Sequence, residues 1–371
     1  QKEVSYLVKE FECRKAADNY ARTSTSRTGI LDTKKLHTYR FNEDIFKKIN
    51  IVPDGKNHGL IFILDWSGSM AHVLLDTLKQ LYNLIWFCKK VQIPFEVYAF
   101  THNYPKEPER AYTPKSNLFE VEGLYSLLNL LTYKTNVKVL EQQMKNIFRL
   151  AYGFHFSTTY STPIGLNLSG TPLNETLIAL HQLIPQFRNQ TKVDKVQCVV
   201  LTDGEAHPLR YHRNVQRPWE EDLYLGTGGV HSDCLIRDRK LGTTYRIPYE
   251  YYGFTETLLR NLRDSFSQTN FIGIRVLANR DANSFIRRYK GWSMEQYDKV
   301  AKRWKKDKSF SIDNSGYHKY FGLSSNALSN DDEFEVEESA TKSQIKRAFV
   351  KSLKTKKMNK KVLSEFVELI A

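Results

Sequence analysis

The sequence has few cysteines and no long apolar run. Its 371 residues include four cysteines, which are widely spaced and form no CxxC pair, so neither a disulfide framework nor a cysteine-bound zinc site is expected. The longest apolar stretches, residues 59–64 and 196–201, are far shorter than the roughly 20 residues of a transmembrane helix. The sequence does not begin with a charged segment followed by an apolar run, so we expect no signal peptide. These features favour a protein of a reducing cytoplasm without a membrane segment.

The sequence also lacks the motifs of several enzyme classes. It contains no GxxxxGK[ST] phosphate loop, so we expect any ATP hydrolysis to belong to a partner. A peptidase needs a nucleophile or a catalytic metal, yet there is no HExxH pair and Ser69 is not in a GxSxG elbow. The histidines of the polar loops are interpreted as structural: His102, His155, His207 and His212. We therefore expect no intrinsic catalytic activity.

The chain is basic, with 55 Lys and Arg residues against 41 Asp and Glu residues and a formal net charge of +14. Such an excess suits binding to phosphate groups, but no recognised nucleic-acid motif accompanies it. The arginines and tyrosines of residues 211–252 fit a base-stacking surface and a polar protein interface equally well. A solvated surface or an acidic protein partner is the preferred interpretation, and nucleic acid stays an alternative.

Apolar periodicity predicts alternating strands and helices. A near-continuous apolar strand at 58–64, a helix at 71–90 and a strand at 95–100 form a parallel unit. The alternation continues in the later part of the chain with strands at 196–201 and 271–277 and helices at 173–184, 254–266 and 281–289. We expect an α/β fold built on a doubly wound, mainly parallel sheet.

The chain is divided into three regions and two insertions by its composition. Residues 1–56 are predicted to be a helical extension, with a helix at 4–20, and a polar linker at 22–27. Residues 57–325 form the main domain, and residues 326–371 form an acidic-then-basic helical tail. The predicted insertions cover residues 103–157, with helices at 118–133 and 137–150, and residues 206–252, with a hairpin formed by 234–236 and 244–247.

Polar side chains gather where two of the predicted strands end. Asp65 ends one strand and Asp203 follows another, while Ser67 and Ser69 lie on a tight turn just after Asp65. The carboxyl ends of parallel strands form the functional crevice of such sheets, so we expect these side chains to meet there. Hard oxygen donors with few carboxylates suit Mg²⁺, with Mn²⁺ or Ca²⁺ as alternatives, better than zinc.

Five residues carry a specific resemblance. Asp65-x-Ser67-x-Ser69, Thr171 within Ser-Gly-Thr-Pro and Asp203 within Thr-Asp-Gly resemble a complete metal-ion-dependent adhesion site of the von Willebrand factor A (VWA) family. The resemblance implies that Ser67, Ser69 and Thr171 bind the metal directly and that the two aspartates act partly through water. An open coordination position would then accept an Asp or Glu of a partner.

Residues 28–36 extend the resemblance. They read Thr-Gly-Ile-Leu-Asp-x-x-Lys-Leu and resemble the segment that precedes the VWA domain in a cobalt chelatase subunit. The chain also resembles uncharacterised proteins of large tailed phages. This implies a partner among AAA+ ATPases of the MoxR and cobalt-chelatase type, or that motor's client, in a bacterial host's cytoplasm if the chain is phage-encoded. A non-catalytic subunit of a chelatase-like complex, and a phage structural or nucleic-acid-associated protein, are the alternatives.

Two neighbours of these residues are candidate partner contacts. Trp66 lies inside the predicted metal loop, residues 65–69. There an exposed indole would add an apolar part to a recognition surface, or the ring would pack beneath the loop. Glu205 lies two residues after Asp203, where it would orient a bound water, contact a partner or pair with Arg210 on the surface.

Overall fold

A computed structural model of the chain describes most of the central region. The described residues are 5, 8, 24–31, 46–51, 58–103, 113–121, 124–156, 162–204, 206, 209–216, 219, 222–250, 253–277, 281–290, 294–307, 309–312 and 316–324. Ser5 and Val8 are helical, and the rest of the predicted helix 4–20 lies outside these residues, as does the tail 326–371.

The described elements alternate between strands and helices along most of the chain. The strands are β1 (Ser24–Leu31), β2 (Phe46–Ile51), β3 (His58–Asp65), β4 (Phe95–His102), β5 (Phe119–Glu120), β6 (Tyr125–Thr132), β7 (Lys195–Thr202), β8 (Arg210–Gln216), β9 (Leu223–Gly229), β10 (Leu235–Arg237), β11 (Thr244–Arg246), β12 (Thr269–Leu277), β13 (Ser309–Ile312) and β14 (Lys319–Ser324). The helices are α1 (Leu74–Lys90), α2 (Val137–His155), α3 (Leu173–Thr191), α4 (Gly253–Ser265), α5 (Ala282–Lys290) and α6 (Met294–Asp307), and a 3₁₀ helix (Gly68–His72) precedes α1.

Seven strands form the central sheet, in the order β13-β14-β12-β7-β3-β4-β6. The five inner strands are mutually parallel, and β13 and β6 pair antiparallel at the two edges. Strands β3 and β7 lie in the middle, and every residue of each after the first is buried. Burial on both faces explains why these strands appear as almost unbroken apolar runs. The predicted α/β fold with a mainly parallel sheet is confirmed.

Helices cover this sheet and bury the two sets of side chains that alternate along β3. Leu60, Phe62 and Leu64 belong to one hydrophobic cluster together with the apolar faces of α1 and α2. Ile61 and Ile63 belong to a second cluster together with those of α3, α4 and α5. Residues at the carboxyl end of β3 are therefore held between two packed layers. Among the described residues, no helix is long and apolar enough to cross a membrane.

The helix predicted at 118–133 is wrong. Residues 125–132 form strand β6, which pairs antiparallel with β4, so part of the predicted insertion 103–157 belongs to the central sheet. A short leucine-rich run is compatible with a strand or a helix. Here it forms a strand because β4 would otherwise leave its edge unpaired. The buried Glu96 carboxylate holds the pair together, because it accepts hydrogen bonds from Asn129 Nδ2 at 2.9 Å and Thr132 Oγ1 at 2.7 Å. The helix predicted at 137–150 is confirmed as α2.

The second predicted insertion is mostly β structure. Its expected hairpin is confirmed as β10 and β11, which pair antiparallel. Strands β8 and β9 form a three-stranded antiparallel sheet with β5. At the start of the chain, β1 pairs antiparallel with β2, so the linker predicted at 22–27 is wrong from Ser24 onward. Serine and threonine made this segment look like a loop, but threonine is common in strands, and β2 supplies the backbone partner here.

Phe62 provides a test of the packing. Its ring is fully buried in the centre of β3, so Phe62→Ala is expected to lower the free energy of unfolding by about 3–5 kcal/mol through lost burial and a residual cavity. Urea denaturation followed by circular dichroism measures the change. Val139→Ala, at a position 45% exposed on α2, is the control and should stay within about 0.5 kcal/mol. Equal effects of the two changes would contradict the described core.

Candidate metal centre

The carboxyl ends of the two central strands place Asp65 next to Thr202. Asp65 is the last residue of β3, and Thr202 is the last residue of β7. The parallel register pairs Leu64 with Leu201, so the next residues of the two strands are adjacent. Thr202 Oγ1 donates a hydrogen bond of 2.7 Å to Asp65 Oδ2. The strand ends therefore meet as the sequence predicts, and Asp203 leaves β7 at this point.

The loop after β3 continues this polar contact toward Asp203. The backbone N–H of Ser67 donates to Asp65 Oδ1 at 3.0 Å. The hydroxyl oxygens of Ser67 and Ser69 are 3.0 Å apart, and Ser69 Oγ donates to Asp203 Oδ1 at 3.0 Å. Four of the five predicted site residues are thus joined in one chain of hydrogen bonds that crosses from one strand end to the other.

Thr171, the fifth predicted residue, lies on a segment that runs beside this loop. Ser67 and Ser169 form a parallel bridge, in which Gly68 N donates to Ser169 O at 2.8 Å and Ser169 N donates to Trp66 O at 3.3 Å. Thr171 follows Ser169 by two residues and directly precedes the Pro172 N-cap of α3. The backbone pairing therefore fixes the position of the Thr171 segment relative to the two serines.

The segment before Thr171 approaches β4 too closely for a side chain. A Cβ atom at Gly170 would lie 2.3 Å from His102 Nδ1, at the end of β4. His102 thus packs against the loop that carries Thr171. His212 is buried in β8, and His155 contacts His72 and Phe156. His207 lies outside the described residues.

Asp65 is a carboxylate in an unfavourable electrostatic setting. Burial, followed by the negative charge of Asp203, raises the pKa of Asp65 to about 7. Hydrogen bonds from Thr202 and Ser67 act in the opposite direction and favour the ionised form. A cation near both carboxylates would remove the repulsion and lower the pKa of Asp65.

The donor set fits a hard divalent cation. Among the described residues, no three His, Cys, Asp or Glu side chains gather in a group that could hold a metal. The strand ends instead offer the carboxylates of Asp65 and Asp203 and the hydroxyls of Ser67 and Ser69, with the Thr171 segment alongside. Carboxylate oxygens and neutral oxygen ligands are those that Mg²⁺ takes in preference to nitrogen or sulfur.

Trp66 packs beneath the loop formed by residues 65–69, and the alternative of an exposed indole is wrong. Its side chain is 1% exposed, Nε1 donates to Leu166 O at 2.9 Å, and the ring meets Phe154 edge to face at 6.1 Å. The indole N–H found a carbonyl partner inside the protein, as buried tryptophans usually do. Glu205 lies outside the described residues, and Arg210 forms its ion pair with Glu120 at 3.5 Å.

One residue of the site escaped the sequence interpretation. Thr202 had no assigned role, yet its hydroxyl donates to Asp65 and also accepts a hydrogen bond of 3.1 Å from Gly204 N. It therefore orients the buried carboxylate and closes the turn that carries Asp203. The available signal was a hydroxyl residue at the end of a buried strand, directly before an aspartate.

Comparisons with known proteins do not show a family for this chain. No protein-family model matches it, and no curated protein does. One solved structure that matches is the open conformation of the pilus adhesin SpaC from Lactobacillus rhamnosus GG, with 17% sequence identity and a TM-score of 0.31. The match covers 60% of this chain and 24% of the adhesin chain.

The raised pKa of Asp65 predicts how metal-free stability depends on pH. The folded state holds this proton up to about pH 7, whereas the unfolded state releases it near the ordinary aspartate pKa of 3.8. Stability therefore falls as pH rises from about 4 to about 7. Asp65→Asn carries no charge, so in EDTA its melting temperature should exceed that of the wild type at pH 8, with a smaller difference at pH 5. Asp76→Asn, on α1, controls for loss of a carboxylate. A variant less stable than the wild type at pH 8 would contradict the electrostatic account.

Proposed function

We propose that this chain is a metal-dependent protein-interaction module of the VWA type, with a doubly wound sheet and a site that holds Mg²⁺ and binds an Asp or Glu of a partner. The observation that carries the proposal is the hydrogen-bonded path from Asp65 through Ser67 and Ser69 to Asp203. It gathers oxygen donors and two repelling carboxylates at neighbouring strand ends, an arrangement that a divalent cation stabilises.

The proposed roles of the site residues follow from their exposure to solvent. Asp65 and Ser67 are buried, whereas Ser69 is exposed and Asp203 is partly exposed, so the partner approaches from the side of Ser69. Ser67, Ser69 and Thr171 would hold the ion through neutral oxygens, with Asp65 and Asp203 behind them. When bound, an ion with few negative ligands supplies an electrophilic position for an incoming carboxylate. Mn²⁺ and Ca²⁺ are alternative occupants because they take the same donors.

The proposed partner is an AAA+ ATPase of the MoxR or cobalt-chelatase type, or the protein on which that motor acts. Support comes from the resemblance of residues 28–36 to the segment that precedes the VWA domain in a cobalt chelatase subunit, and from the lack of a phosphate loop in this sequence. The ATPase would do the mechanical work, and this chain would hold the bound protein. The proposed setting is the cytoplasm, in keeping with the free thiols of Cys88, Cys198 and Cys234.

Metal binding is the first test. Calorimetric titration of the chelator-treated protein with Mg²⁺ should show one binding event, and Ser67→Ala should weaken it at least about tenfold, because even residues behind the direct ligands contribute that much to metal affinity. Ser169→Ala is a matched control, since Ser169 contacts the loop through its backbone. Equal Mg²⁺ affinity in the Ser67→Ala and wild-type proteins would show that the ion, if bound, lies elsewhere.

Partner binding is the second test. A purified AAA+ ATPase of the MoxR type should bind the immobilised full chain in Mg²⁺, and EDTA should release it. Asp65→Ala should abolish the interaction, whereas Asp76→Ala on α1 should preserve it. Binding that persists in EDTA would argue against a metal-bridged contact, and binding that instead weakens steeply with salt would favour a phosphate-type electrostatic interaction.

A further inference from the structure

An exposed aromatic surface lies beside the metal loop. At the end of α2, Tyr152 and Phe156 are 49% and 55% exposed, and Ile164, in the segment that leads to Thr171, is 99% exposed. The rings of Tyr152 and Phe156 are 4.5 Å apart, and the His155 ring lies 4.7 Å from Phe156. We call these four residues the aromatic rim. Clustered exposed apolar groups of this kind mark binding surfaces.

Trp66 and the 3₁₀ helix attach the aromatic rim to the metal loop. The ring of Trp66, next to Ser67, contacts Phe154 of α2, and its N–H bonds to Leu166 O, two residues past Ile164. The 3₁₀ helix that begins at Gly68 ends with His72, whose ring lies 6.4 Å from that of His155. The buried Trp66 ring and the His72 side chain therefore connect the rim to the loop. A ligand that contacts both would combine a carboxylate with an apolar side chain close by.

The sequence contains a segment of this composition. Residues 331–338 read Asp-Asp-Glu-Phe-Glu-Val-Glu-Glu, outside the described residues. Phe334 and Val336 alternate with Glu333, Glu335 and Glu337, so each of these three carboxylates has an apolar neighbour one residue away. The negative charge of the segment complements a divalent cation, while the apolar residues match the aromatic rim.

The end of β14 brings this segment within reach of the site. Strand β14 is parallel to β12, β12 to β7 and β7 to β3, so Ser324 ends at the same edge of the sheet as Asp65 and Thr202. Two strand spacings from β14 to β7 amount to about 10 Å. The chain from Ser324 to Glu333 spans up to about 30 Å when extended. The tether is therefore long enough for binding within one molecule.

We propose that residues 331–338 bind in cis across the metal site and the aromatic rim, where their glutamates compete with the carboxylate of a partner. The proposal rests on the proposed function, since it requires the metal site. Under this proposal the acidic segment of the chain lowers the apparent affinity for a partner. A tethered ligand competes at an effective concentration on the order of 1 mM.

The test uses the full chain and a fluorescein-labelled peptide of residues 330–339, with binding measured by fluorescence anisotropy in Mg²⁺. The triple variant Glu333→Gln/Glu335→Gln/Glu337→Gln should bind the peptide at least about tenfold more tightly than the wild type, because its own segment has lost the three carboxylates that neighbour Phe334 and Val336. Glu365→Gln/Glu368→Gln, which neutralises two other acids of the tail, is the matched control and should behave like the wild type.

The surface is tested in the background of the triple variant. Phe156→Ala and Ile164→Ala should each weaken peptide binding, and EDTA should abolish it. Val139→Ala removes a side chain of similar exposure at the other end of α2 and should have no effect. Unchanged affinity in Phe156→Ala and Ile164→Ala would overturn the assignment of the rim.

Two further outcomes separate the proposals. Equal peptide affinity in the wild type and the triple variant, with Mg²⁺ binding intact by calorimetry, would overturn the cis inference alone, whereas failure to bind Mg²⁺ would overturn the proposed function as well. Light scattering tests the alternative occupant, a second copy of the chain. A wild-type dimer that the triple variant converts to a monomer would show that the segment acts between molecules and would overturn binding in cis.

Discussion

A buried carboxylate at the end of the central strand organises the candidate site. Each oxygen of Asp65 has a separate partner: Oδ1 accepts from the backbone of the Ser67 loop, and Oδ2 accepts from Thr202 on the neighbouring strand. The two bonds tie the loop after β3 to the turn after β7. The same carboxylate carries the cost of burial and of repulsion by Asp203. A site with this built-in charge conflict is poised to gain stability from a cation.

The apolar sheet makes such an unfavourable group tolerable. Strands β3 and β7 are paired in register along their length and covered on both faces, so their ends cannot move apart to hydrate Asp65 without disturbing the core. Asp65 and Thr202 therefore lie on rigid strands, and the loops that carry the other polar residues span only short distances to reach them. The packing energy of the two adjacent layers thus offsets the unfavourable free energy of burying Asp65 near Asp203.

The sequence predicts the parts of the fold that repeat a simple pattern. The strands that end at Asp65 and Thr202 are continuous apolar runs, and their order along the chain places their polar ends at one edge, so the meeting of Asp65, Ser67, Ser69 and Asp203 could be anticipated. The edge strands could not. Residues 125–132 satisfy helical and strand patterns alike, and the choice depends on the unpaired edge of β4. Whether Trp66 pointed outward depended on Phe154 and Leu166, which lie far away in sequence.

Trp66 joins the metal loop to its surroundings, and its burial changes how the site would recognise a ligand. An exposed indole would contact a partner directly, with little consequence elsewhere. The buried ring instead fixes the end of α2 and the segment that leads to Thr171, both of which expose apolar side chains. Because packed interiors transmit displacement rather than absorb it, a shift of Ser67 would move these surfaces together. In the proposed function, recognition of a carboxylate and of its apolar neighbours would therefore act as a single event.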